Sequence, residues 1–127
     1  MLFRSKAVAP HMQQRGWGRI VNIGGLSGSR PGNISGLRNA AIVHLTKTLS
    51  DQLGQHGITV NLVHPGATST ERTDAATEKR AAGNAIRRIV DASEIAQVVT
   101  FLASTKAANV TGIAIDASGG SIPVMFQ

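Results

Sequence analysis

The sequence predicts an α/β fold: a parallel sheet with helices on both faces. Three short apolar, β-branched runs, at residues 19–23, 58–63 and 113–116, read as strands. Stretches with helical spacing separate them. Strands joined through helices imply right-handed crossovers and parallel pairing. The order is α-β-α-β-(α)-α-β.

The composition sets the outer bounds. A chain of 127 residues is one domain or part of one. An apolar fraction of 42% is enough to bury a core, and 14 glycines suit tight turns and βα loops. The absence of Cys excludes a disulfide framework and thiolate metal sites, and fits a reducing compartment. The opening MLFRSKAVAP has no secretory cleavage pattern and no run is apolar enough to span a bilayer, so a cytoplasmic protein is expected. The net charge of +6 raises nucleic acid as a partner. The basic residues are scattered, however, and Lys79, Arg80, Arg87 and Arg88 have no aromatic residues among them to stack bases. They read as a solvated helical face.

Each element has its own signals. Residues 1–15 place Leu2, Phe3, Ala7, Val8 and Met12 near helical spacing, with a kink expected at Pro10 and a stop at Gly16–Gly18. Residues 19–23 fit a strand buried on both faces. After a loop at 24–32, Asn33 or Ser35 can cap a helix reaching Leu53, with an apolar stripe of Ala41, Leu45, Leu49 and Leu53. Gly54 and Gly57 stop it. The second strand, 58–63, should break at His64, Pro65 and Gly66. A Thr- and Ser-rich stretch follows, then a basic helix at about 78–89. Asp91 or Ser93 starts the next helix, with Ile95, Val98, Val99 and Leu102 on its apolar face. Gly112 leads into the third strand, and the tail from Ser118 has no periodicity. The four histidines show no metal-ligand spacing, and His64 reads as a structural histidine at a strand end.

GRIVNI at 18–23, NAAIVHLTKTLSDQLGQHGITVNLVHPGATST at 39–70 and VTGIAIDASGG at 110–120 together resemble the C-terminal half of the short-chain dehydrogenase/reductase family. The likeness runs from residue 1 to about residue 120. It implies a partial Rossmann-type, doubly wound sheet, the last three strands with their flanking helices, in a single domain over 1–127. It also implies an oxidoreductase using NAD or NADP on a small-molecule substrate. The family's N-terminal Gly-rich cofactor loop has no counterpart here. Gly24-Gly25-Leu26-Ser27-Gly28 lacks its third glycine and reads as a βα loop.

In that family a Ser orients the carbonyl, a Tyr moves the proton, and a Lys four residues later lowers the Tyr pKa and holds the ribose. Anchored on Leu45-Thr46-Lys47, the Tyr position falls on Ser35 and the Lys position on Asn39. The Ser position falls on Gly24 or Gly25, with Ser27 or Ser29 as stand-ins if the loop folds back. Ser35 has a far weaker acid than a phenol, and Asn39 has no charge. By resemblance, Asn22, Ile23, Pro65, Gly66, Thr68 and Thr70 would contact the cofactor. Residues 68–88 take the place of the family's substrate lid. The helices at 1–15 and 35–53 resemble those that pair subunits, so a homo-oligomer is expected. Two functions follow: an oxidoreductase altered at its chemistry-bearing positions and truncated, or a non-catalytic association module or gene fragment.

Overall fold

A computed structural model describes residues 2–25, 34–71 and 73–121. Their elements are α1 (Leu2–Arg15), β1 (Gly18–Ile23), α2 (Ile34–Leu53), β2 (Ile58–Pro65), α3 (Ala75–Ala82), α4 (Ala92–Ala103) and β3 (Ala114–Ala117), with short 3₁₀ turns at Gly54–His56 and Thr105–Ala107. The three strands form one parallel sheet in the order β1-β2-β3.

Strand side chains alternate between faces, and each face carries a helical layer. On one face Ile20, Ile58 and Val60 pack with Leu53 of α2, and Ala9 and Met12 of α1 close over them. On the other, Val63 packs with Leu102 of α4 and with Ala107, joined by Ile95, Val98, Val99 and Ile115. Central β2 is buried from Ile58 through Val63. Its polar Asn61 is bonded at both ends of its amide: Nδ2 donates to the Val110 carbonyl at 2.8 Å, and Oδ1 accepts from the Ile113 N–H at 3.4 Å. Thr111 adds a further tie, its Oγ1 accepting from the Val60 N–H at 3.0 Å.

Several expectations need correction. β1 is not buried on both faces: Gly18, Ile20 and Asn22 are buried, Arg19 and Val21 half-buried and Ile23 exposed. The physical reason is position, since among the described residues β1 pairs with β2 alone. β2 does not break at His64 but continues through Pro65, in register with Ala117. Of the apolar stripe expected on α2, Leu53 is buried, Leu49 packs on the core and Leu45 is half-buried, but Ala41 is exposed, and the most buried positions also include Gly36, Asn39, Thr46 and Ser50. Polar groups can line that face because the sheet offers them partners, as Ser50 Oγ finds in Thr111 Oγ1 at 3.0 Å. α1 likewise turns Ser5, Ala9 and Met12 inward and leaves Ala7 and Val8 exposed.

The basic helix lies earlier than its charge pattern suggested. Asp74 caps α3 by accepting from the Thr77 N–H at 2.8 Å, and the helix ends at Gly83. Residues 83–90 form turns in which Arg87 adopts φ 57° and Asn84 Nδ2 donates to the Arg88 carbonyl at 2.8 Å. Residues 118–121 carry no regular element but are tied down: Ser118 is buried, and its Oγ accepts from the Ser121 N–H at 3.0 Å. Asn33, Ser27, Ser29 and the loop at 26–33 lie outside the described residues, as do 122–127.

Candidate functional site

In a parallel sheet all strands end on the same side, and crossovers leave a crevice beyond those ends. Here that side gathers Ile23, Gly24 and Gly25 after β1, His64, Pro65 and Gly66 at the head of β2, and Asp116 and Ala117 at the head of β3. The start of α2 supplies Ser35 and Asn39.

The two consecutive glycines are dictated by what lies beneath them. A Cβ on Gly25 would stand 2.9 Å from Asn39 Nδ2. One on Gly24 would stand 2.8 Å from His64 Nδ1 and 3.1 Å from Leu62 Cδ1. The Asn39 amide and the His64 ring therefore occupy the room that side chains at 24 and 25 would need. A serine at either position, as the family pattern asks, would have to displace one of them. Asn39 is 3% exposed. Ser35 is half-buried in the first turn of α2.

The expected cofactor residues separate into different roles. Asn22 is buried, and its Nδ2 donates to Thr46 Oγ1 at 3.0 Å and fastens β1 to α2. Ile23 is 46% exposed at the strand end. Gly66 packs on the turn after β3, where a Cβ would come within 2.8 Å of Ser118 Cα and its carbonyl oxygen. Thr68 Oγ1 donates to the Gly66 carbonyl at 3.0 Å, and Thr68 bridges to Val90. Thr70 is exposed, and its N–H donates to Thr73 Oγ1 at 2.9 Å. The loop is thus held by Ser118 below and Val90 beside it.

One feature escaped the motif reading. His64 and Asp116 are cross-strand partners. The signal was available only through register, which places the residue before Pro65 beside the fourth residue after Gly112. Burial lowers the His64 pKa from its ordinary value, and the Asp116 charge opposes that shift.

A flat nicotinamide ring needs an open strand end with backbone close at hand. Gly24 and Gly25 would offer bare backbone there, with Ile23 beside them at the strand end. The diphosphate end would need donors other than these.

Sheet and strand-end crevice together define a Rossmann-type α/β protein. A family model described as "Enoyl-(Acyl carrier protein) reductase" matches residues 1–121. The chain belongs to the short-chain dehydrogenase/reductase family. It is 37% identical over 123 residues to 3-oxoacyl-[acyl-carrier-protein] reductase FabG of Haemophilus influenzae, covering 91% of this chain and 51% of that protein. The crystal structure of YwfH, an NADPH-dependent reductase involved in bacilysin biosynthesis, superposes with a TM-score of 0.89 at 33% identity, over 98% of this chain and 54% of that one. A 3-oxoacyl-[acyl-carrier protein] reductase from Brucella melitensis with bound NAD gives 0.83 at 29% identity, over 92% and 45%. The chain therefore spans about half the length of the relatives it matches.

Proposed function

We propose that the chain provides the nicotinamide- and substrate-facing half of an NAD(P)-dependent oxidoreductase site, and that the site is impaired in its chemistry. What carries the reading is the shared strand end, where Gly24 and Gly25 follow β1 and Pro65 and Gly66 close β2, inside a chain that matches the family over residues 1–121. The substrate is a small molecule with a reducible carbonyl or conjugated double bond, as the names of the matched reductases suggest. Bound NAD(P)H would supply the hydride. This chain's own residues would contribute the pocket: Gly24 and Gly25 present bare backbone, Ile23 an apolar wall, and the 65–70 loop a cover.

Ser35 and Asn39 are the weak points. A hydroxyl on a short side chain cannot match a phenol as proton donor near neutral pH, and an amide cannot lower its pKa. The pairing that gives the family its acid catalyst is thus replaced by two neutral groups.

Calorimetry and amide-resonance mapping with NADPH and NADH test this. Weak binding is expected, with shifts confined to Ile23, Gly24, Gly25 and residues 65–70. Submicromolar binding by the chain alone would contradict the impaired site, and shifts elsewhere would remove the site itself. Chemistry is tested in a chimera that adds the first half of a matched reductase. There, Ser35→Tyr with Asn39→Lys should raise NADPH oxidation by roughly a hundredfold, the low end for a positioned general acid.

A second reading has its own observation. Ile34 is 81% exposed and Leu37 67% on α2, with Val43 and, on α1, Val8 also exposed. Such a surface favours an association module that pairs through α1 and α2. Sedimentation decides: a stable dimer, abolished by Leu37→Glu with Val43→Glu, supports it, and a monomer at all concentrations removes it.

A further inference from the structure

We propose that the open flank of β1, with the groove that α1 forms beside it, is the seat for an apolar β-strand of a second polypeptide, one carrying the part of a family reductase that this chain does not span. Seating of the strand is independent of any bound nucleotide.

Hydrogen-bond direction supplies the geometry. The N–H groups of Gly18 and Gly24 donate to the carbonyls of Gly57 and Val63. Between those points β1 and β2 keep an unbroken parallel register. Backbone groups along a strand alternate sides every second residue. Ile20 and Asn22 therefore also face β2, while Arg19, Val21 and Ile23 turn their N–H and C=O groups the other way. Among the described residues β1 pairs with β2 alone, and no described backbone group meets those three. Donors and acceptors at every second residue make a ladder that another extended backbone matches. A helix has already spent its backbone groups on itself.

Side chains define which strand fits. A groove of about 410 Å³ is lined by Arg4, Ser5, Val8 and Met12 of α1 and by β1 from Arg19 to Ile23. No described residue of β2 or α2 lines it, so it lies on the side of β1 away from the sheet. Val8 is exposed there, as is Ile23. Both charged lining residues are cations, and neither Arg4 nor Arg19 is in an ion pair among the described residues. A second copy pairing through its own β1 would bring the same arginine to the seam and no carboxylate. An incoming strand flanked by an acidic residue complements them. The matched reductases run to about twice the length of this chain. A domain buries its layers against one another, so their remaining half carries surfaces made for a sheet like this one.

Co-expression tests the proposal. The whole chain is produced with a tagged polypeptide carrying the part of the Haemophilus influenzae reductase outside the match, and no nucleotide is added. Co-purification is expected. In the chain alone, amides of Arg19, Val21 and Ile23 should exchange fast and those of Ile20 and Asn22 slowly. In the complex the first three should slow by about tenfold or more. Val21→Pro removes one outward donor and leaves the bonds to β2 in place, since proline is tolerated on an open strand flank. It should abolish co-purification while the Ile20 and Asn22 amides stay protected, and Val21→Ala, which keeps the donor, should not. Failure to co-purify overturns the proposal, as does a complex in which Arg19, Val21 and Ile23 still exchange freely. Protection of those three in the chain alone, rising with its concentration, also overturns it and assigns the flank to a second copy.

Discussion

Asn22 shows how a single side chain can fasten the frame near the end of a strand. Its amide is buried and spent on Thr46, so Asn22→Ala should cost about 1–3 kcal/mol by leaving Thr46 Oγ1 without its donor. In a double-mutant cycle with Thr46→Val, read by urea denaturation, the two effects should be non-additive. Cofactor binding should change little beyond that loss. Gly57 offers a sharper case. It adopts φ 73°, and a Cβ there would run into the Gly16 carbonyl, which is backbone and cannot move aside. Gly57→Ala should therefore destabilise by about 1–3 kcal/mol or more, the cost of a left-handed residue compounded by a clash. Gly54→Ala, three residues away with nothing within 4 Å, is the matched control and should be near neutral. At this scale the sequence marked the glycines as turns, but it could not tell these two apart. The difference lies in what another loop places opposite them.

Among the elements, α4 is the one whose start is most fully specified. Asp91 caps it by accepting from the Ser93 N–H at 2.8 Å, and Glu94 reaches back to the Asp91 N–H at 2.8 Å. Arg88 then grips Glu94 with two bonds of 2.8 and 2.7 Å. The Arg88 bonds and the Asp91 N–H lower the Glu94 pKa from 4.5 to about 2. The folded state thus favours the ionised carboxylate. The stabilisation is complete above the ordinary value and drains away as pH falls through the folded one. Melting temperatures of the natural chain and Glu94→Gln should differ most near neutral pH and converge as pH drops from about 4.5 to about 2. This helix was legible in the sequence because capping is a local matter: Asp, then Glu three residues on, then an apolar face. The helix expected at 78–89 was not. Its boundary depends on Asn84 bonding the Arg88 carbonyl and on Ile86 N–H bonding the Gly119 carbonyl, contacts set by distant packing. The inward faces of α1 and α2 were read only in part: Met12, Leu49 and Leu53 do pack on the core, but polar neighbours share it. Counting apolar residues cannot see that Thr46 and Ser50 are acceptable inside once they have somewhere to bond.

For the whole molecule, three apolar runs separated by helical stretches were enough to give the parallel sheet and its layers. The contents of the site were less accessible. Spacing put Ser35 and Asn39 in the family's chemical positions, but only three dimensions show Asn39 and His64 filling the volume beside Gly24 and Gly25. That co-adaptation makes restoration of the family pattern a coupled problem. Gly25→Ser alone should destabilise the chain, and pairing it with Asn39→Ala should recover most of the loss in urea denaturation, because the amide that blocks the new Cβ is then gone.

The sheet order β1-β2-β3 is also the order in the chain. Among the described residues, each strand lies beside the one made just before it, always on the same side, and none is threaded between two earlier ones. A ribosome releasing this chain would deliver β2 to a waiting β1 and β3 to a waiting β2. Across these three strands, growth of the sheet would follow growth of the polypeptide.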